Sequence, residues 1–594
     1  MRNLLLHILL LSFLAVLPEV PRAQVPESGH TVATEPVFQQ IDRAYRKGEL
    51  TLEQNILQKF YVALDPDKAM DRFHPVPLDL QIRCLTPLII EFERVREQLS
   101  LSAREEIGYY LQDTCSRPNT EHRFTTESGR FTFHYDLEGP HAVPSKEYVE
   151  RAAFAADSSW NHQVGSLGFE DPVLTRSVQP YNIYFKDLDF YGAACPAGST
   201  TYFLVHNNFE GFPPNHHPED PRTGALYVTV AHELKHATQY ATNKWNCSSE
   251  EENRESGCSA WVEMDAVMME EIVFDNINDY YNYIKSDGPD SSEPAVNSIF
   301  GSPSEPVPKA YDHATWMLYF AETFGMDYWV DVWDQFKLEA NKPFLDAVRQ
   351  SLNQRGETFA SHHTRNLIWH LGSGPDSYTQ SFGFSERENY PSPVFDQDFR
   401  QVPDSLGGKS LSPLAANFHR ARPLGEITGQ VKVLLKHERP DVGLGLVVTF
   451  TDGRTDMKWI TGSSISPEIE LQTSWNWREI REMRIAIVNY SETETIGYQL
   501  TLDKAIPQQI TLSDNYPNPF HPVTRFEIGI DRPTHVRLEV YDTLGRKVRT
   551  LADRNYPPGF YNFEFDGREL ASGVYLYRLI TDDEIHSRKM VLVK

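Results

Sequence analysis

The sequence predicts a multidomain α+β protein that begins with helices and ends in two all-β sandwiches. Its 594 residues exceed what one hydrophobic core can organise. Residues 24–125 repeat apolar side chains at helical spacing, whereas strands and helices alternate from 126 to 372. After residue 410 the pattern changes to short strands separated by turn residues, which is typical of sandwiches.

The first 23 residues read as a secretory signal peptide. Arg2 precedes a short Leu-rich run, and Ala23 supplies the small residue expected at a cleavage site. No other apolar run approaches the roughly 18 residues that a membrane span needs, so the mature chain is expected to lack one. The net charge of −27 argues against a nucleic-acid partner and suits a soluble extracellular surface.

The helical N-terminal region, residues 24–125, carries apolar positions at helical spacing in 37–45, 52–64 and 85–99. Ser102 is a candidate N-cap for a last helix, because Glu105 follows it at the capping-box distance. The region is either a propeptide that blocks a binding cleft until its removal or a permanent accessory domain.

The next domain, residues 126–372, starts with an alternating strand at 130–135 and continues with a helix at 148–164. Two more strands follow at 181–185 and 200–205. An apolar run of small residues then leads into another helix, and helices from about 310 to 371 complete the domain.

Residues 232–236 read His-Glu-Leu-Lys-His, an H-E-x-x-H pattern. Residues four apart on a helix share one face, so His232 and His236 can ligate the same Zn²⁺. Glu233 then lies where it can take a proton from metal-bound water. The pattern also arises by chance in long chains, so its meaning depends on the residues that follow it.

A second acidic helix follows the motif and supplies a third ligand. A catalytic zinc needs three protein ligands and an open fourth position. We predict Glu263 as the third ligand, with Asp265 pointing elsewhere. Glu270 lies two turns further on the same face and is expected to orient a ligand histidine. A solvated helix charge is the alternative for both glutamates.

The motif and the segment Glu-Met-Asp-Ala-Val-Met-Met-Glu at 263–270 resemble the gluzincins, zinc peptidases with two His ligands and one Glu. Residues 230–239 more narrowly resemble a group of secreted bacterial metalloproteases. The resemblance to that group extends from about residue 35 to about residue 500. The resemblance implies a zincin-like metallopeptidase domain with Zn²⁺ as cofactor. Met264 and the Asp after it replace the usual small residues, and Lys235 places a cation opposite the histidines or at their edge.

The reaction that this resemblance implies is hydrolysis of a peptide bond. Glu233 accepts a proton from zinc-activated water and delivers it to the leaving amine. Gluzincins commonly use a Tyr or His to stabilise the oxyanion, so Tyr311 and His313 are candidates, with packing as the alternative role for Tyr311. The strand that ends near Val205 is the candidate edge for pairing with an extended peptide.

Five cysteines in an exported chain predict disulfides. We predict one bridge between Cys247 and Cys258, which flank a polar loop, and one between Cys84 and Cys115. Cys195 is left over, either as a buried thiol or as a thiol that caps the zinc in a latent form. The absence of C-x-x-C spacing argues against a cysteine metal site.

A Pro-, Ser- and Asp-rich stretch at 373–409 predicts a linker, and residues 410–505 predict a β-sandwich. No catalytic motif is visible in that sandwich. A spacer role is the default expectation, and a carbohydrate-binding or prodomain-like accessory role is the alternative.

The last segment, residues 511–594, contains Asn-Tyr-Pro-Asn-Pro-Phe, Tyr-Asp-x-x-Gly-Arg and Leu-Ala-Ser-Gly-Val-Tyr in that order. It resembles the type A C-terminal sorting domain of the type IX (Por) secretion system, an immunoglobulin-like sandwich, with His521 replacing a commoner Asn. The resemblance implies the type IX machinery as partner. It also implies export through the periplasm and outer membrane of a Gram-negative bacterium, to the cell surface or the medium. A plain adhesive sandwich is the alternative.

Together these patterns predict a secreted zinc endopeptidase that acts on a protein or peptide substrate. Two alternatives stay open: a catalytically silent surface-binding protein with the zincin fold, and a zinc hydrolase of a non-peptide substrate. The intact Glu233 favours a working enzyme.

Overall fold

In the computed structural model of the protein, the described residues are 37–74, 83–172, 180–246, 258–284, 313–375, 382–425, 427, 429–462 and 466–594. The predicted signal peptide, Cys247 of the predicted bridge to Cys258, and Tyr311 lie outside these residues.

Four helices open the described chain: α1 (Val37–Arg46), α2 (Leu52–Leu64), α3 (Thr86–Val95) and α4 (Leu101–Thr114). Thr51 and Gln54 form a capping box at the start of α2. Ser100 caps α4 by accepting a hydrogen bond from the Ala103 N–H, so the predicted cap at Ser102 is wrong by two residues.

A five-stranded sheet and the helices α5 to α8 follow the N-terminal helices in the described chain. The strands are β1 (His122–Thr125), β2 (Phe131–Tyr135), β3 (Tyr181–Lys186), β4 (Gly192–Ala197) and β5 (Thr200–His206). The longer helices are α5 (Lys146–Trp160), α6 (Pro221–Asn243) and α7 (Cys258–Phe274), followed by the short α8 (Tyr281–Ile284).

The sheet has the order β1-β2-β3-β5-β4, with β4 antiparallel to β5. The predicted edge strand, which ends near Val205, is therefore wrong: β5 is internal and β4 forms the edge. The sequence Gly-Ala-Ala-Cys-Pro-Ala of β4 lacks β-branched residues, so strand propensity does not reveal it.

The N-terminal helices and this sheet share one hydrophobic cluster. Phe60 and Ile107 from the helices pack with Ala193 and Leu204 from the outer face of β4 and β5. Helices α2, α3 and α4 therefore pack against the sheet, whereas the buried residues of α1 form a separate cluster with α2.

A disulfide joins Cys115, at the end of α4, to Cys195 in β4. The predicted pairing of Cys84 with Cys115 is wrong, and so is the prediction that Cys195 is left over. Cys84 is buried and is not part of this bridge. The packing of α4 against β4 decides the pairing, because it brings the Cα atoms of the bridged cysteines to 5.9 Å.

Four more helices complete this part of the chain: α9 (Ala314–Phe324), α10 (Asp327–Leu338), α11 (Phe344–Gln354) and α12 (Phe359–His370). Helix α12 packs against a strand of the sandwich that follows in sequence, and it contacts that strand at Gly443 and Gly445. A Cβ atom at either glycine would collide with the side chain of Thr364 or Ile368 in α12.

The first sandwich places a five-stranded sheet, β11-β10-β13-β8-β6, against a four-stranded sheet, β12-β9-β14-β7. Its strand β6 lies within the predicted linker at 373–409, and β7 begins there, so the predicted start of the sandwich at 410 is too late. The strands are β6 (Gln397–Phe399), β7 (Asp404–Leu411), β8 (Ala416–Ala421), β9 (Gln430–His437), β10 (Val442–Phe450), β11 (Thr455–Thr461), β12 (Glu468–Asn476), β13 (Ile480–Asn489) and β14 (Ile496–Ala505).

The second sandwich pairs the sheets β15-β16-β19 and β18-β17-β20-β21 around their own hydrophobic cluster. Within the described ranges, no helix is long and apolar enough to cross a membrane. The strands are β15 (Thr511–Leu512), β16 (Val523–Ile530), β17 (Thr534–Asp542), β18 (Lys547–Tyr556), β19 (Gly559–Asp566), β20 (Gly573–Ile580) and β21 (Ile585–Leu592).

Candidate metal centre

Helix α6 carries the H-E-x-x-H residues in its buried central turns. Asp220 caps its first turn by accepting a hydrogen bond from the Arg222 N–H, and Pro221 occupies the first helical position, where its missing N–H costs nothing. His232 and His236 are both at most 3% exposed. The sequence therefore builds a long helix whose middle lies away from solvent.

The nitrogen and oxygen atoms of three predicted ligands converge on one point. The Nε2 atoms of His232 and His236 are 3.1 Å apart, and Glu263 places a carboxylate oxygen 3.0 Å from the first and another 3.1 Å from the second. Tetrahedral zinc ligands lie roughly 3.3 Å from one another when metal–ligand bonds are ~2.0 Å. The three side chains thus have the spacing of ligands around a single ion.

The other ring nitrogen of each histidine bonds to a side chain that fixes the ring. Nδ1 of His232 lies 2.7 Å from Oε1 of Glu270, and Nδ1 of His236 lies 2.9 Å from Oε1 of Gln239. Both partners accept the Nδ1–H, which leaves each Nε2 lone pair directed at the shared point. Glu270 has the position that the sequence predicts for it.

A hydrogen-bond chain continues behind His236. Nε2 of Gln239 donates to Oδ2 of Asp265 at 2.8 Å, and the same oxygen lies 3.2 Å from Nζ of Lys235. Lys235 is fully buried, and burial lowers its pKa to about 8 although Asp265 opposes that shift. This chain consists of residues from α6 and α7 only, and we name it the His236 chain.

The corresponding hydrogen-bond chain behind His232 includes residues outside α6 and α7. Nη2 of Arg83 lies 2.6 Å from Oε2 of Glu270 and 2.6 Å from Oδ2 of Asp279. Burial raises the pKa of Asp279 to about 6, although Arg83 opposes that rise. This His232 chain therefore depends on an arginine that precedes α3 in the N-terminal region.

The centre favours a positive charge between the imidazoles and the carboxylates. Burial alone lowers the pKa of His232, but Glu263 and Glu270 outweigh burial and raise that pKa to about 10. Burial also raises the pKa of Glu263, yet the two imidazoles bring it well below its ordinary value. A metal cation can take the place of the proton in such a site.

Glu233 lies beside this group and next to the thiol of Cys84. It is 1% exposed, and its carboxylate oxygens accept no hydrogen bond from an N–H or O–H group of the described residues. Burial raises its pKa, while His232, His236 and a weak hydrogen bond from the thiol of Cys84 oppose the rise. Gly192 leaves room for it, because a Cβ there would lie 2.9 Å from Oε1 of Glu233.

A fourth ligand-type side chain joins the three predicted ones. Sγ of Cys84 and one ligand atom each of His232, His236 and Glu263 all lie within 4.8 Å of one another. The backbone N–H of Thr86 donates to this sulfur at 3.3 Å. The sequence assigns Cys84 to a disulfide, so this placement is a result of the structure.

The remaining predicted residue, His313, is buried at the start of α9 and is not among the converging ligands. Sequence reasoning misses Arg83, Cys84 and Gln239. Only Gln239 carries a local signal, because it lies one turn after His236 on the same helix face.

Residues 83–86 lie beside the edge strand β4 at this site. The carbonyl oxygen of Arg83 accepts hydrogen bonds from the N–H groups of Tyr191 at 3.0 Å and Gly192 at 3.4 Å, and Oγ1 of Thr86 accepts one from Ala194 at 3.0 Å. Residues 83–86, which we name the 83–86 segment, thus occupy the outer edge of β4.

The small cavity beside the centre has no space for a water molecule, and its lining consists of Arg83, Tyr191, Thr229, His232, Glu233 and Glu270.

Residues 514–594 match the family described as the secretion system C-terminal sorting domain (Por_Secre_tail). These residues cover nearly all of the second sandwich. The match confirms the sorting domain predicted from sequence, and it implies export by the type IX secretion system, contact with that machinery, and a secreted or cell-surface location.

No curated protein matches the chain. Solved structures with partial likeness include dimeric latent PorU from Porphyromonas gingivalis, which is 14% identical in sequence. The match covers 29% of this chain and 19% of that chain, with a TM-score of 0.12. Bacteroides uniformis β-glucuronidase 2 has 11% identity, coverages of 37% and 31%, and a TM-score of 0.13. The chain spans well under half the length of either protein, and TM-scores this low carry no functional information.

Proposed function

We propose that this protein is a secreted, zinc-dependent peptidase with a zincin-like, gluzincin-type domain. The observation that carries the proposal is the convergence of His232, His236 and Glu263 at ligand spacing, with Glu233 beside them. The donor set of two imidazoles and a carboxylate suits zinc. The two side chains that fix the histidine rings complete the surroundings usual for such an ion.

The roles of the residues follow from this arrangement. A zinc ion held by the three ligands would supply the Lewis acidity that makes water a nucleophile near neutral pH. Glu233, whose pKa burial raises, accepts the proton of the attacking water and passes it to the leaving amine. Glu270 and Gln239 hold the imidazoles in the tautomer that presents Nε2 to the ion.

A peptide is the substrate class that the neighbouring strand favours. Strand β4 is the edge of its sheet and passes Glu233 at Gly192. An extended peptide can add to such an edge through main-chain hydrogen bonds, which requires no particular side chain. A peptide paired with β4 would place a main-chain carbonyl close to Glu233.

The test combines zinc content with the hydrolysis of denatured casein by the full chain. Because the centre is buried and the Cys115–Cys195 disulfide retains the N-terminal helices, the protein is assayed as isolated, after limited proteolysis, and after proteolysis with reduction. We expect one zinc per chain and cleavage by at least one of these forms.

The matched control is Glu233→Gln, which keeps the side-chain size and removes the base. It should bind zinc as the wild type does and cleave casein roughly 10²–10⁴-fold more slowly after the same treatment. Zinc binding without cleavage in every form would count against the peptidase, and absence of zinc would exclude the three-ligand assignment.

A further inference from the structure

The proposed function leaves the fourth metal position to water, whereas the structure brings the thiol of Cys84 to the same group of ligand atoms. Its Sγ belongs to the same converging group as the ligand atoms of His232, His236 and Glu263. The thiol is 3% exposed. A catalytic zinc keeps an open fourth position, while a fourth protein ligand closes the coordination sphere.

The backbone around Cys84 occupies the edge of β4, which the proposed function assigns to a peptide substrate. Cys84 forms a parallel bridge with Gly192, and the 83–86 segment receives hydrogen bonds from three N–H groups at the edge of β4. Main-chain pairing of this kind excludes a second peptide from the same edge. The segment thus covers the strand edge and brings Cys84 to the candidate metal ligands.

Arg83 anchors the segment independently of the cysteine. Its guanidinium bonds to Glu270, which fixes the His232 ring, and to Asp279. Arg83 is 2% exposed, so the ion pairs form away from water. The disulfide between Cys115 and Cys195 adds a covalent link from the N-terminal region to β4 itself.

We propose that Cys84 is a fourth ligand of the metal ion held by His232, His236 and Glu263, and that the 83–86 segment closes the centre as an internal inhibitor. This inference rests on the proposed zinc site. When the metal–sulfur bond forms, the S–H bond of the thiol breaks and its proton passes to solvent, so no oxidant or reductant is required.

The carboxylate of Glu233 agrees with this arrangement. It is almost fully buried and accepts no N–H or O–H hydrogen bond from the described residues, although the centre brings it next to the ligands. A base waiting for a water proton has this environment when water is kept out. Displacement of Cys84 would admit both the water and a peptide to Glu233 and β4.

The primary test examines the metal in the full-length protein without relying on activity. Zinc-edge X-ray absorption of the wild-type chain should show one sulfur at ~2.3 Å beside nitrogen and oxygen ligands. The chain loaded with Co²⁺ should show the near-ultraviolet charge-transfer absorption of a thiolate–cobalt bond. Cys84→Ser should bind one Co²⁺ per chain and lose that absorption.

A control variant, Cys247→Ser/Cys258→Ser, removes the two other cysteines outside the Cys115–Cys195 bridge and should keep the absorption. Casein cleavage is measured on the same samples. The wild-type chain as isolated should not cleave. Because Arg83 still holds the 83–86 segment on β4 in Cys84→Ser, the variant is compared with the wild type after the same limited proteolysis, and it should cleave faster. If Cys84→Ser fails to fold, the X-ray absorption of the wild type still decides whether a sulfur ligand is present.

The outcomes separate this inference from the proposed function. One metal per chain without a sulfur ligand in the wild type would overturn the inference and leave the zinc site standing. A sulfur signal that disappears in Cys84→Ser, with no cleavage by any form, would support the ligand and contradict the peptidase. Equal cleavage by wild type and Cys84→Ser would refute the inhibitory role, and absence of metal would overturn both proposals.

Discussion

The two hydrogen-bond chains behind the ligand histidines are built alike but belong to different parts of the molecule. The His236 chain runs through Gln239 and Asp265 to Lys235 and stays within α6 and α7. The His232 chain runs through Glu270 to Arg83, which lies 187 positions from that glutamate. Both rings are thus fixed from α6 and α7, but the glutamate that fixes His232 is itself paired with the N-terminal region.

The largest effect is expected from breaking the end of the His236 chain. Asp265→Ala leaves the Lys235 ammonium buried without its carboxylate, so the free energy of unfolding should fall by about 3–5 kcal/mol. Urea denaturation followed by circular dichroism measures the loss. The double variant Lys235→Met/Asp265→Leu should recover most of the stability, because apolar residues replace both charges. A single variant as stable as the wild type would contradict the role of this pair.

The corresponding change in the His232 chain is Arg83→Met, which leaves Glu270 and Asp279 without their cation. We expect a loss of roughly 3 kcal/mol at pH 7, measured by urea denaturation with a chelator present. Without Arg83 the pKa of Asp279 rises further above its value of about 6, so the variant's deficit should grow as pH rises through that range. A loss of stability that is larger at pH 5 than at pH 7 would contradict this prediction.

Zinc affinity should distinguish the two chains more finely. Gln239→Ala and Glu270→Ala each remove a group that fixes a ligand ring, so each should weaken zinc binding by roughly 10–100-fold in competition with a chelating dye. When each change is combined with Arg83→Met, the losses of zinc-binding free energy should add for Gln239→Ala and should not add for Glu270→Ala. Equal coupling of Arg83 to both residues would mean that the chains are not separate.

The smallest expected effect concerns the contact of the 83–86 segment with β4. Thr86→Val keeps the side-chain shape and removes the oxygen that accepts the Ala194 N–H, which should cost about 1 kcal/mol of stability. Amide exchange at Ala194 should speed up while zinc affinity stays unchanged. Thr364→Val on α12, which removes a hydroxyl bonded within its own helix, serves as a matched control and should leave Ala194 exchange unaltered.

The sequence alone determined the parts of the molecule that depend on neighbours along the chain. Helical periodicity places α2, α6 and α7 close to their actual positions, because an amphipathic or buried helix shows its period locally. The four-residue spacing puts His232 and His236 on one face for the same reason. The C-terminal sorting domain carries its motifs in a single continuous segment.

Only the tertiary structure decided which distant residues meet. The order of the sheet makes β4 its edge, and the packing of α4 against β4 selects Cys195 as the partner of Cys115. The approach of Cys84 to His232, His236 and Glu263, and of Arg83 to Glu270, depends on the same packing, and residues 83–86 carry no local pattern that reports it. Such pairings follow from how layers pack across long stretches of chain, which local periodicity does not encode.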